Sequence, residues 1–238
     1  MDFSQKYPRQ ISLENFGEKG QKRLGKTRVC IVGAGGVGSG AIPLLAACGL
    51  KKLSILDFDK VSESNLHRQT IYKLSDVSKP KARLAAKFCQ ELNPQTDFEA
   101  HIVKIEDSPA CEKYFSGADI VIDACDSFAS RSAVSEICRR LKKPVIMAAA
   151  GGYVSQITLL NEGFYFGELV GDASAKKEGA EGRPIFPPAA ALSGVLAAGV
   201  AIKSAAQNLK IEGGRFLNFD HVKMKFFEGS LLRQAPRV

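Results

Sequence analysis

The sequence predicts an α/β protein with a mostly parallel central sheet, helices on both faces and an antiparallel extension in its C-terminal part. Three observations predict it. Short apolar runs alternate with helical stretches through residues 28–149, and the first of them passes straight into a glycine-rich turn, VCIVGAGGVGSG at 29–40. Past residue 150 the spacing changes to the two-residue alternation of an exposed antiparallel strand.

The elements follow in order. Residues 28–33 (RVCIVG) read as an apolar strand, 36–49 as a small-residue helix, and 52–57 (KLSILD) as a second strand ending in an acid. Helical spacing at 79–92 stops at Asn93-Pro94, and 98–104 is a further candidate strand. ADIVID at 118–123 reads as a strand, 128–142 as a helix and 144–149 as another strand. YVSQITLLN at 153–161 alternates; 168–188, dense in Gly, Lys, Glu and Pro, reads as a long mobile loop. The Ala- and Gly-rich stretch 189–209 suits a tightly packed helix, and 215–227 (RFLNFDHVKMKFF) a closing hairpin or strand pair. There is no internal repeat.

Composition sets the outer bounds. With 45% hydrophobic and 24% charged residues over 238 positions, the chain can bury a core. Its 33 Lys+Arg against 25 Asp+Glu give a net charge of +8, which attracts nucleotides, acidic proteins or nucleic acid and selects none of them. MDFSQKYPRQ at the start lacks the apolar core of a signal peptide, and no uninterrupted apolar run reaches about 18 residues, so a cytoplasmic protein with no membrane partner is expected. Six cysteines, Cys30, Cys48, Cys89, Cys111, Cys125 and Cys138, form no C-x-x-C pair, and most fall in apolar segments. They read as small hydrophobes in a reducing compartment.

Gly33-x-Gly35-x-x-Gly38 follows a strand and opens a helix, the context in which glycines allow a tight turn and aim amides at phosphate. Taken alone, such glycines are equally a plain strand-to-helix turn. Asp57, at the end of the next strand, stands 19 residues beyond Gly38, where a carboxylate can bind ribose hydroxyls, as expected of a Rossmann-like unit. No G-x-x-x-x-G-K-[ST] pattern occurs, which excludes P-loop chemistry.

The segment DFDKVSESNLHRQTIYKLSDVSKPK then gathers Asp57, Asp59, Asn65, Arg68, Gln69, Lys79 and Lys81. A nicotinamide dehydrogenase needs no such cluster beyond its ribose acid. A nucleotide whose triphosphate is cleaved needs cations where charge builds up. Either Arg68 or Lys81 alone would be an ordinary solvated cation; it is their company that points to phosphate.

With KYPRQI, GEKGQKRL, the glycine turn, LDFDKVSESNLHRQ, DVSKPKA and DIVIDACDSFASR in place, the chain closely resembles the ThiF/MoeB/HesA family, the bacterial relatives of ubiquitin-activating enzymes. The resemblance runs from about Tyr7 to Ile157, resumes at FLNFDHVKMKF, and implies one adenylation domain over 1–238, with a nucleotide-binding half of about 1–150 and a partner-binding half of about 151–238. It implies ATP and Mg²⁺ used to adenylate a carboxylate, commonly the C-terminal glycine of a ubiquitin-like sulfur-carrier protein, with release of pyrophosphate. By the same resemblance Gly36 and its neighbours, and Ser64, contact the nucleotide, Asp57 with Asp59 holds the ribose, and Asn65, Arg68 and Lys81 meet the phosphates. Asp126 corresponds to the magnesium-associated aspartate with Ser127 beside it, and Arg9 to an arginine delivered across a homodimer. A carboxylate nucleophile is already ionised at neutral pH, so the site needs counter-charge and alignment rather than a base. The plain alternatives are that Asp126 caps the helix near Phe128 and that Arg9 is an ordinary terminal arginine.

Departures from the family matter too. The two C-x-x-C pairs that hold structural zinc in many relatives are missing, and no cysteine follows Cys138, so neither zinc nor a thioester step is expected. Burial of Phe216, Phe219, Phe226 and Phe227 is the expected substitute clamp on the C-terminal segment. Cys125, beside Asp126, is the one conceivable nucleophile. The divergence keeps open a different acid, a small molecule or a peptide, and a scaffold that only binds nucleotide; retention of Arg68, Lys81 and Asp126 speaks against the scaffold, and an NAD-linked oxidoreductase stands furthest off.

Overall fold

The computed structural model describes residues 3–166 and 184–231. Three short helices, α1 (Phe3–Lys6), α2 (Pro8–Ile11) and α3 (Gly17–Leu24), lead into β1 (Arg28–Val32), α4 (Gly36–Ala47) and β2 (Lys52–Leu56). After two 3₁₀ turns come α5 (Lys81–Leu92), β3 (Asp97–His101), α6 (Pro109–Ser116), β4 (Ile120–Asp123), α7 (Phe128–Arg140) and β5 (Val145–Gly151). The chain then reverses into β6 (Val154–Leu160), crosses by α8 (Pro187–Gln207) and closes with β7 (Arg215–Asp220) and β8 (Lys225–Ser230).

One eight-stranded sheet has the order β3-β2-β1-β4-β5-β6-β7-β8. The first five positions pair in parallel and the last three strands are antiparallel, so the sheet runs without a break through both halves of the chain. Alternation along β1 divides the core. Val29 and Ile31 face a cluster with Ile42, Leu45, Ala85 and Ala197 from α4, α5 and α8. Cys30 and Val32 face Phe115, Val134, Ile137 and Cys138 from α6 and α7. Because β1 leads outward to β2 on one side and β4 lies on the other, the strand order reverses between them, and a crevice opens past their C-terminal ends.

Small residues hold the crevice's inner wall. A Cβ on Gly194 would stand 2.1 Å from the Val37 carbonyl oxygen, and one on Gly40 2.3 Å from that of Ala191. α4 and α8 therefore touch backbone to backbone, which fixes the N-terminus of α4 against the sheet. By length and composition α8 could cross a membrane; here it packs on α3, α4, β5 and β6.

Several expectations are corrected. α6 lay outside the sequence reading, although Ser108, Pro109 and Gly117 mark its ends as N-cap, N1 and C-cap. The strand at 98–104 ends at His101. β6 is an interior strand with Ser155, Ile157, Thr158 and Leu160 buried, not an exposed one, because α8 covers it. Most of the loop expected at 168–188 lies outside the described residues, but Pro187 and Pro188 already belong to α8. The phenylalanine clamp does not form: Phe216 and Phe219 are half-buried, while Phe226 and Phe227 on the edge strand β8 are 56% and 46% exposed.

Candidate functional site

A cavity of about 230 Å³ fills the crevice. Its entrance is shaped by the glycine turn. Gly33 has φ +100°, and a Cβ there would stand 2.5 Å from the Ala124 carbonyl oxygen, so the turn and the approach of β4 both require glycine. Gly38 lies beneath, where a Cβ would stand 2.3 Å from the Gly33 carbonyl oxygen. Gly33, Gly35 and Gly36 line the cavity; Gly38 only lets α4 fold back on the turn. Gly35 is the N-cap of α4, whose first amides have no intrahelical partner.

Asp57 anchors this turn. Its Oδ2 accepts from the Ala34 amide at 2.7 Å and its Oδ1 from the Asp59 amide at 2.7 Å, while Tyr72 Oη donates to the Ala34 carbonyl at 2.8 Å. Burial pushes the Asp57 carboxyl above the usual range, opposed by the Ala34 amide and the Lys81 charge. Each oxygen keeps a second acceptor direction for a ligand. Lys81, the first residue of α5, is buried and pairs with Asp59 at 3.0 Å.

Arg68 lies over Gly36, its stem 3.3 Å from where a Cβ would stand, and its Nη1 donates to His67 Nε2 at 2.7 Å. Asp126, exposed on the cavity wall, has no hydrogen bond or ion pair among the described residues. The helix cap belongs to its neighbour: Ser127 Oγ accepts from the Ser130 amide at 3.1 Å. That disposes of the alternative in which Asp126 caps α7, and it gives Ser127 a task other than nucleotide contact.

Of the remaining expected site residues, Ser64 and Asn65 are not on the cavity wall. Ser64 is exposed and bonds Ser62, while the Asn65 carbonyl accepts from the amides of Arg68 and Gln69, so this turn presents those two side chains. Arg9 is exposed on α2 and also absent from the wall. Its neighbour Gln10 bonds the Cys48 carbonyl beyond the C-terminus of α4, whereas the cavity sits at that helix's N-terminus, ~18 Å away for twelve residues.

Two wall residues had no assigned role in the sequence reading. Arg131, on α7, donates through Nη2 to the carbonyls of Cys125 and of Ala148 (3.1 Å for the latter), and its Nη1 stands 3.7 Å from the buried Asp123 carboxylate. It ties the end of β4 to β5 directly beneath Asp126. Its signal was present in DACDSFASR, where a basic residue in the first turns of α7 faces a strand-end acid, but only the fold brings them together. Gln69 is buried beside Gly35.

The cavity has two characters. Apolar side chains of Val32, Leu56, Val103, Ile105 and Ala124, with the half-exposed Phe58, share its wall with the charged Arg68, Lys81 and Asp126 and with Ala150, Gly151, Pro184, Ile185 and Ala190. Residues 184–186 are held in place by Gly152, whose amide donates to the Pro184 carbonyl and whose carbonyl accepts from the Phe186 amide, each at 2.9 Å. The Cys125 thiol is buried, and desolvation raises its pKa well above the usual thiol value, so it is no ready nucleophile.

The model of the ThiF family matches residues 7–236 of the chain. Among curated relatives, the chain is 36% identical over 164 residues to the sulfur carrier protein adenylyltransferase of Thermus thermophilus, covering 69% of this chain and 60% of that one. It is 39% identical over 155 residues to the SAMP-activating enzyme E1 of Haloferax volcanii, covering 65% and 57%. It is 38% identical over 156 residues to the adenylyltransferase and sulfurtransferase MOCS3 of Arabidopsis thaliana, covering 66% and 33%. The aligned part thus spans between a third and three fifths of these relatives. Among solved structures, PaaA superposes with a TM-score of 0.79 at 22% identity, covering 97% of this chain and 74% of that one. Escherichia coli MccB with AMPCPP and MccA gives 0.77 at 19%, covering 92% and 67%. At such identities these two establish the shared fold.

Proposed function

The chain belongs to the ThiF family, and from that premise we propose that it is an ATP-dependent adenylyltransferase, joining AMP to a carboxylate and releasing pyrophosphate. The observation that carries this reading is the meeting, on one cavity, of the glycine turn, the Asp57 acceptor, the Arg68 and Lys81 cations and the unpaired Asp126 carboxylate. The apolar side chains suit a purine, Asp57 a ribose, and the glycine turn with Arg68 and Lys81 a triphosphate. In the reaction an ionised carboxylate oxygen attacks the α-phosphorus, the bond from that phosphorus to the bridging oxygen breaks, and pyrophosphate leaves with the electron pair. No proton moves. Arg68 and Lys81 lower the repulsion between the two anions, and the amides at the start of α4 take up phosphate charge.

Magnesium is usually held by one or two carboxylates together with substrate phosphates, and Asp126, exposed and without a protein partner among the described residues, fits that donor set. When bound, the ion would neutralise phosphate charge. Arg9 lies too far along α4 to serve its own cavity, which supports a homodimer in which it serves the partner's. Six unpaired, buried thiols support a reducing, cytoplasmic setting.

The carboxylate we assign is the C-terminal glycine of a ubiquitin-like sulfur carrier. Curated relatives named for that activity support it, and so do the small residues Ala150, Gly151 and Ala190 on the wall, which suit a chain end without side chains. ATP–pyrophosphate exchange tests the proposal. Exchange should require a carrier ending in Gly-Gly and should fall about 100-fold or more in Arg68→Ala and Asp126→Ala. Exchange driven only by a small acid would replace the carrier with another substrate, and none with any acid would overturn the proposal.

A further inference from the structure

Among the described residues, every buried side-chain nitrogen or oxygen on the cavity wall has a protein partner except two. Arg131 Nη1 is one, but that guanidinium already bonds two carbonyls and faces Asp123. The other is Gln69 Oε1: the side chain is 3% exposed, lines the cavity and leaves this acceptor unmatched among the described residues. Its Nε2 stands 3.5 Å from where a Gly35 Cβ would be, so the amide lies against the glycine turn, and its chain neighbour Arg68 lies over Gly36.

An acceptor buried without a donor is costly, and a wall that keeps one is completed by a ligand that brings a donor. A triphosphate at neutral pH brings none. The amino donor of the base lies at the far edge of a nucleotide from its phosphates, whereas Gln69 stands against Gly35, where the first amides of α4 take up phosphate. The groups of a nucleotide that remain are the ribose hydroxyls. Asp57 is the other acceptor at this level, and both its oxygens are already half-occupied by the Ala34 and Asp59 amides. We infer that Gln69 Oε1 accepts a hydrogen bond from one ribose hydroxyl, dividing the vicinal pair with Asp57; the inference rests on the cavity being a nucleotide site.

Equilibrium titration tests it without relying on turnover. ATP, 2′-deoxy-ATP and 3′-deoxy-ATP are titrated calorimetrically into the full chain and into Gln69→Leu. The variant should bind ATP about five- to tenfold more weakly, and bind one of the two deoxynucleotides as the unaltered chain does. Gln69→Glu keeps the acceptor and should keep the discrimination between ATP and that deoxynucleotide, even where its charge weakens all three ligands. An equal weakening of all three in Gln69→Leu would mean that the amide, turned by half a rotation, serves phosphate, and would overturn the inference. So would no change at all, or discrimination lost in Gln69→Glu. Failure of the unaltered chain to bind any of the three would instead overturn the nucleotide reading itself, and this inference with it.

Discussion

Replacing Arg131 with methionine removes a buried cation while keeping most of the stem's bulk. In the folded protein its guanidinium is 3.7 Å from the Asp123 carboxylate, whose side chain is 2% exposed, and it bonds the carbonyls of Cys125 and Ala148. The substitution leaves a carboxylate buried without its counter-charge and two carbonyls without a donor. Removing one partner of a buried pair costs about 3–5 kcal/mol. Urea unfolding should therefore show a stability lower by about 3 kcal/mol, a midpoint lower by about 1 M or more. Asp123→Asn in the Arg131→Met background removes the stranded charge, so the double variant should recover part of the loss, with a coupling of about 1–3 kcal/mol. A single variant less than about 1 kcal/mol below the parent, or a strictly additive double, would refute the claim that this pair braces the Asp126 loop.

Three further outcomes follow from the same geometry. Ser127→Ala should cost about 1 kcal/mol of stability and leave ATP binding nearly unchanged, whereas Asp126→Ala should do the reverse in thermal melts and exchange assays. Gly194→Ala forces a methyl against the Val37 carbonyl oxygen, and should cost about 1–3 kcal/mol while weakening ATP binding as α4 moves; an unchanged nucleotide Kd would separate the helix contact from the site. Burial pushes the thiols of Cys30, Cys48 and Cys89 up to about 12. Because the folded values lie above the unfolded ones, their contribution is intact below pH ~9 and is lost as the pH rises beyond it, so raising the pH from about 8 to 10 should remove roughly 4 kcal/mol across the three, read by urea titration at each pH. Alkylation of these thiols in the native protein should be negligible at neutral pH.

How far the sequence could be read depended on the range of each interaction. Local patterns gave β1, α4, β2 and the parallel core, because glycine turns, apolar runs and helical spacing act within a dozen residues. α6 escaped because eight residues offer too few turns to show a period, although Ser108-Pro109 and Gly117 bracketed it. The burial of β6 was illegible because α8, far along the chain, supplies its cover. In the site, Gly33, Gly35, Gly36, Asp57, Asp59, Arg68, Lys81 and Asp126 do line one cavity. Ser64 and Asn65 instead shape the turn beneath it, and Ser127 caps a helix. Arg131 and Gln69 acquire meaning only in three dimensions, one from carbonyls at the end of β4 and on β5, the other from an acceptor that nothing among the described residues satisfies.

The central claim is that this cavity directs a carboxylate onto the α-phosphorus of ATP. Following oxygen-18 from a labelled C-terminal carboxylate of a Gly-Gly carrier, with an amine added to capture the activated acyl group, tests it most directly. One labelled oxygen should appear in AMP and none in pyrophosphate, and the transfer should vanish in Asp126→Ala. Unlabelled AMP, label in pyrophosphate or phosphate, or ADP as the nucleotide product would each contradict the account.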